Sequence, residues 1–165
     1  MNNELTPLDI QKMQEELDHC RLVLMPELIE EVKRTRAFGD LSENYEYKAA
    51  KQAQNRNKSR IRYLTRMIAS AHVIEDHSAE DEVGLFDLVE LYLEEDDDTE
   101  QVQVVTTVRC DPRQGRVSKE SPMGKALLGR KLGDRFQVNV SDTYSYFAVV
   151  RSITKQADDG SAPIL

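Results

Sequence analysis

The chain is predicted to be α+β: a long antiparallel helical hairpin followed by a small antiparallel β domain with one short helix. Three observations predict this. Apolar residues recur at helical spacing through most of residues 8–74. That span is broken once, near Gly39. After about residue 78 the texture changes to short, β-branched, partly alternating runs.

The first helix is read over residues 8–37. Ile10, Met13, Leu17, Cys20, Leu24, Leu28 and Val32 are spaced 3-4-3-4 and then 4-4, a heptad-like seam that drifts in its second half. Thr6-Pro7 supplies an N-cap and a proline at the first helical position. Pro26 lies inside the helix and is expected to kink or loosen it. Gly39 suits the C′ position, because glycine takes the left-handed conformation without strain. The second helix is read over about 43–74, with Tyr47, Ala50, Asn57, Ile61, Leu64, Ile68 and Ala71 facing the partner helix. So short a turn forces the two helices to pack antiparallel. At 1.5 Å per residue each would be about 45 Å long. The seam is apolar over 61–71 and polar at Gln54 and Asn57, so the hairpin is expected to be held best at its base.

Strands are expected in 83–93, 100–108, 135–141 and 144–153, with the acidic stretch 94–99 as a hairpin loop. Residues 121–129, SPMGKALLG, carry a serine N-cap, a proline and a closing glycine, and predict one short helix. The expected organisation is a hairpin over 1–77 with an acidic tip near 39–46, a β domain over 78–158 and a loose tail over 159–165.

Composition narrows the function classes. The 165 residues are 39% hydrophobic and 32% charged, with a net charge of −8. No apolar run reaches membrane-spanning length, and the first twenty residues lack the pattern of a signal peptide. A cytoplasmic protein is expected. Cys20 and Cys110 form no metal or redox motif, and His19, His72 and His77 have no ligand spacing. The negative charge argues against a general nucleic-acid binder, yet residues 47–74 hold seven cations and no acid, while 78–165 hold 17 acids and 10 bases.

Two features carry chemistry. Asp40 and Glu43 sit three apart between the two helices. The simpler reading is a capping box, with Asp40 as N-cap of the second helix and Glu43 reaching back to it. The rival reading is metal chemistry. Carboxylates at i and i+3 face one side of a turn. They could hold a Mg²⁺ whose remaining ligands come from a partner, since the ion needs about six oxygens. The second feature is a stripe of Lys48, Lys51, Lys58, Arg62 and Arg66, which fall within about 80° of one another on a helix. It is either a solvated face paired with acids such as Glu27, Glu30 and Glu31, or a phosphate track for a single nucleic-acid strand. The run 94–98 lacks the spacing of a Ca²⁺ loop, and GKALLGRK at 124–131 lacks the upstream glycine and Ser/Thr of a phosphate loop.

The stretches GDLSENYEYKAAKQ (39–52), MPELIEEVKRTRAFGD (25–40), RIRYLTRMIASAHVIED (60–76) and SPMGKALLGRKLGDRFQV (121–138) resemble those of the bacterial Gre-type transcript cleavage factors, on the GreA side of the family. The resemblance spans about residues 5–153. It implies an N-terminal coiled coil and a C-terminal FKBP-like β domain. It implies bacterial RNA polymerase as partner, with the coiled coil entering the secondary channel and the tip reaching the catalytic centre. There Asp40 and Glu43 would help hold a Mg²⁺, completed by the polymerase, while the polymerase hydrolyses backtracked RNA. It also implies contact with the nascent RNA 3′ end, no membrane, action as a monomer and no nuclease activity of the factor alone. The tip acids can then be both cap and reagent. One departure is the turn SDTYS (141–145), where the family often has Pro-Gly-Gly; a local change in that hairpin is expected. Two other classes remain: a channel-occupying regulator without cleavage, and a β domain used as a prolyl-isomerase-like or chaperone-like binding module.

Overall fold

The computed structural model describes residues 3–39 and 44–165. The chain divides into two units, one gathering Asn3 with Ile10–His72, the other Glu4–Asp9 with Val73–Leu165. The chain combines an N-terminal helical hairpin with a C-terminal β domain, the predicted α+β class.

The hairpin unit contains most of α1 (Pro7–His19), a π-helical turn (Cys20–Leu24), α2 (Met25–Arg36) and α3 (Tyr45–Ala69). Its seam buries Met13, Leu17 and Cys20 against Ala50, Leu64 and Met67, with Gln54, Asn57 and Thr35 as buried polar members. Ile61 and Ile68, expected in the seam, are only half-buried. Met67 takes the inward place instead. Pro26 neither ends nor sharply breaks the helix. It has no N–H to give Leu22, so the chain takes one extra residue, and the Met25 amide donates to the Cys20 carbonyl. The Asn57 amide also donates to that carbonyl, at 3.0 Å across the hairpin. α3 is shorter than expected, 25 residues or about 37 Å, because its caps lie at Asn44 and Ser70.

The second unit is a five-stranded sheet in the order β5-β4-β3-β7-β6, built from β3 (Leu88–Leu93), β4 (Asp98–Val105), β5 (Arg116–Ser118), β6 (Arg135–Asn139) and β7 (Ser145–Thr154). β3 and β4 form the expected hairpin, from Leu88 opposite Gln103 to Leu93 opposite Asp98. β3–β7 and β6–β7 are also antiparallel, the former with a register shift between Glu90 and Leu91. The short strand β5 was not expected, and it runs parallel to β4. β3 starts five residues later than predicted, because Gly84–Asp87 turn: the Asp87 carboxylate accepts the Gly84 amide at 2.8 Å. Inward-facing Val89, Leu91, Val102, Val104, Phe136, Val138, Ala148 and Val150 pack with Leu127 of α4 (Pro122–Leu127) as the core. Ser121 caps α4 by accepting the Gly124 amide at 3.0 Å. Gly124 is required there, since a Cβ would meet the Ser118 carbonyl oxygen at 2.1 Å. The SDTYS turn closes β6 to β7 through reciprocal backbone bonds between Ser141 and Tyr144.

Two further strands, β1 (Glu4–Leu5) and β2 (His72–Val73), pair as a small ladder. The Leu5 carbonyl takes the Ile74 amide at 2.9 Å. Thr6 and Asp9 form a reciprocal capping box at the start of α1, with bonds of 3.0 and 3.2 Å. The carboxylate of Asp9 is buried against Thr106 and Arg109. Residues 159–165, expected to be loose, are fixed: Ala162 is buried and the Leu165 amide donates to the Val108 carbonyl.

Candidate functional site at the hairpin tip

α2 ends at Arg36 with Ala37 as its C-cap, and Gly39 takes φ +102° two residues later. Gly39, expected at C′, thus falls one position further on, at C″, and it is there that the left-handed conformation occurs. Asp40 and Glu43 lie outside the described residues. The residue that caps α3 is Asn44, not Asp40: its Oδ1 accepts the Tyr47 amide at 3.0 Å. The capping-box reading of Asp40 is therefore corrected. A helix starting at Tyr45 needs its acceptor one residue earlier, and asparagine fills that place as well as aspartate does.

Asn44 also reaches the other arm. Its Nδ2 donates to the Thr35 carbonyl at 2.7 Å. Thr35 is fully buried, with its hydroxyl donating to the Glu31 and Val32 carbonyls. One side chain thus satisfies an orphan donor of α3 and a late carbonyl of α2. Cation–aromatic pairs surround this end: Arg34 over Phe38 at 5.3 Å, Arg36 over Tyr47 at 5.9 Å and Lys48 over Tyr45 at 5.6 Å.

Lys48, Lys51, Lys58, Arg62 and Arg66 are all exposed on α3. Lys51 bonds Gln54 and Arg62 bonds Ser59, both within the helix. Among the described residues none of the five is ion-paired with an acid. Of the acids proposed as their partners, Glu30 pairs with Lys33, and Glu31 with Arg34 at 2.6 Å. That hydrogen bond, opposed by desolvation and aided by the charge of Arg34, holds the Glu31 carboxyl below its ordinary value. Arg34 of α2 pairs with Glu46 of α3 at 3.7 Å, and the α3 cation that crosses the hairpin to an acid among the described residues is Arg60, bidentate to Glu16 at 2.6 and 2.9 Å. It lies off the stripe. The Cys20 thiol is pushed up, first by burial and then by Glu16, which makes it a poor nucleophile. Among the described residues no cluster of three metal-ligating side chains occurs, and no helix is long and apolar enough to cross a membrane.

Asn44, Thr35 and Tyr45 were missed by sequence reasoning. A signal for Asn44 was present, an asparagine three residues before Tyr47, but Asp40 competed for the same role. Nothing local marks Thr35 as a buried partner.

A family model described as "Transcription elongation factor, N-terminal" matches residues 3–73. A second, "Transcription elongation factor, GreA/GreB, C-term", matches 78–155. The chain belongs to the GreA/GreB family of transcription elongation factors. Relatives of this Gre-family chain include transcription elongation factor GreA of Macrococcus caseolyticus, 39% identical over 136 residues, covering 82% of this chain and 85% of that protein. GreA of Bacillus subtilis is 38% identical over 128 residues, covering 78% and 82%. GreA of Mesoplasma florum is 38% identical over 143 residues, covering 86% and 92%. Among solved structures, GreA factor homolog 1 (Gfh1) of Thermus thermophilus covers 92% of this chain and 98% of its own, at 27% identity and a TM-score of 0.42.

Proposed function

We propose that this Gre-family factor inserts its hairpin into the secondary channel of bacterial RNA polymerase and stimulates the polymerase to hydrolyse backtracked nascent RNA, releasing arrested complexes. The observation that carries this reading is the family match across the hairpin, with Asp40 and Glu43 between its two helices. Two carboxylates offer the hard oxygens that suit Mg²⁺, and they are too few to hold it alone. Asp40 and Glu43 would hold the ion together with polymerase groups, and when bound it would lower the pKa of water or stabilise a leaving oxygen. The exposed cations of α3 attract the phosphates of the displaced RNA 3′ segment. The factor works as a monomer, in the cytoplasm where the polymerase works, and is not a nuclease by itself.

The test is RNA cleavage by stalled, backtracked elongation complexes with and without the protein. Wild type should shorten the transcript from its 3′ end, and Asp40→Ala or Glu43→Ala should lower the stimulated rate by about a hundredfold or more. Both variants should still compete for polymerase. Because α3 is capped by Asn44, neither change removes that cap, and melting should move within about 0.5 kcal/mol. Wild-type cleavage by either variant would defeat the assignment. A wild-type protein that binds polymerase and blocks it without cleavage would mark a channel-occupying regulator instead.

A further inference from the structure

Tyr45 is the most exposed large hydrophobic side chain among the described residues, at 81%. It opens α3, directly after the Asn44 cap, so its backbone is fixed while its ring stands in solvent. Lys48, one turn later, places its ammonium 5.6 Å from the ring centroid. Lys48 is also the first cation of the stripe that continues through Lys51, Lys58 and Arg62 to Arg66, about 27 Å along the helix. None of these cations has an acid as ion-pair partner among the described residues.

An anchored, exposed ring at the end of a row of exposed cations has the two parts of a single-strand grip. Bases stack on the aromatic face whatever their identity, and phosphates follow the charge. An acidic peptide would satisfy the cations but leave the ring without a planar partner. We infer that Tyr45 is a stacking platform for one unpaired base of single-stranded RNA, with Lys48 beside it to neutralise the adjoining phosphate. The assignment of that base to the backtracked 3′ segment rests on the proposed function; the stacking itself does not.

The chain contains no tryptophan, so Tyr45→Trp creates a single reporter. Adding a single-stranded oligoribonucleotide to the free variant at low salt should quench its emission, and salt should reverse the quenching. In stalled complexes Tyr45→Ala and Tyr45→Leu should raise the half-maximal factor concentration for cleavage about tenfold, the size of one lost base stack. Tyr45→Phe and Tyr45→Trp should match wild type, and binding to polymerase without a transcript should be equal for all. Unmoved tryptophan emission together with full activity of Tyr45→Leu would overturn the inference while leaving the proposed function intact. Equal losses of binding to transcript-free polymerase would place the ring against protein and overturn it as well. Quenching by RNA in a protein that never stimulates cleavage would uphold the platform and remove the proposed function.

Discussion

Asn44 uses one amide for two jobs, capping α3 through Oδ1 and holding Thr35 of α2 through Nδ2. Asn44→Ala loses both and should destabilise the hairpin by about 1–2 kcal/mol. Asn44→Ser keeps an acceptor for the cap but is too short to reach the Thr35 carbonyl, and should lose only part of that. Thermal melting of the two variants separates the jobs, and equal losses would show that the cap contributes nothing measurable. A different kind of residue is Arg109. It is buried between Asp9, at 3.0 Å, and Asp158, at 2.8 Å through each terminal nitrogen, with the Phe86 ring 5.1 Å away. Burial pulls its pKa down, but the hydrogen bonds to Asp158 and Asp9 outweigh that, and it ends raised. Arg109→Leu strands the buried Asp9 carboxylate and should cost about 3–5 kcal/mol in urea denaturation. Adding Asp9→Asn should return part of the loss, because the uncompensated charge is then gone.

At the scale of the element, the π-helical turn explains the drift in the seam spacing of the first helix. The extra residue that Pro26 demands rotates everything after it, so Leu24, Leu28 and Val32 end half-buried and Thr35 turns inward. The turn is stabilised from outside by Asn57, which gives the Cys20 carbonyl a second donor. Asn57→Ala removes a buried hydrogen bond and leaves space in a seam that is already polar. The expected cost is about 1–3 kcal/mol, and amide hydrogen exchange at Met25 should rise more than exchange elsewhere in α2. If Met25 stayed protected as in wild type, the turn would be maintained by Pro26 alone.

For the molecule as a whole, charge is the organising quantity. A chain of net charge −8 keeps an acid-free segment on α3 whose five stripe cations are exposed. Surface pairs would add little to stability, so the lack of an acid partner for these cations among the described residues costs the fold little and leaves a local field that attracts phosphate. Reversing Lys51, Lys58 and Arg62 to Glu should leave the melting temperature nearly unchanged. On the proposed function it should lower cleavage more for long backtracked segments than for short ones, since longer RNA would lie along more of the stripe. The difference should shrink as salt rises. Losses independent of RNA length and of salt would instead mean that the stripe touches protein.

The sequence by itself determined the elements that local physics controls. Apolar periodicity placed both arms of the hairpin, alternation placed β3, β4, β6 and β7, and Ser121-Pro122 placed α4. The acid-free run of α3 was legible because counting charges needs no coordinates. What only the tertiary structure decided were choices among residues with equal local claims, and contacts between distant ones. Asp40 and Asn44 are both good cap residues by type, and the structure gives the cap to Asn44, which also donates to the Thr35 carbonyl. β5 carries only Arg116, Val117 and Ser118, too few for a period, and exists because β4 offers it a free edge. Arg109 carries no local sign of burial, and its place is decided by Asp9 and Asp158, 100 and 49 positions away. A hydrogen bond across such distances leaves no trace in local spacing, because its partners are brought together only when the core has formed.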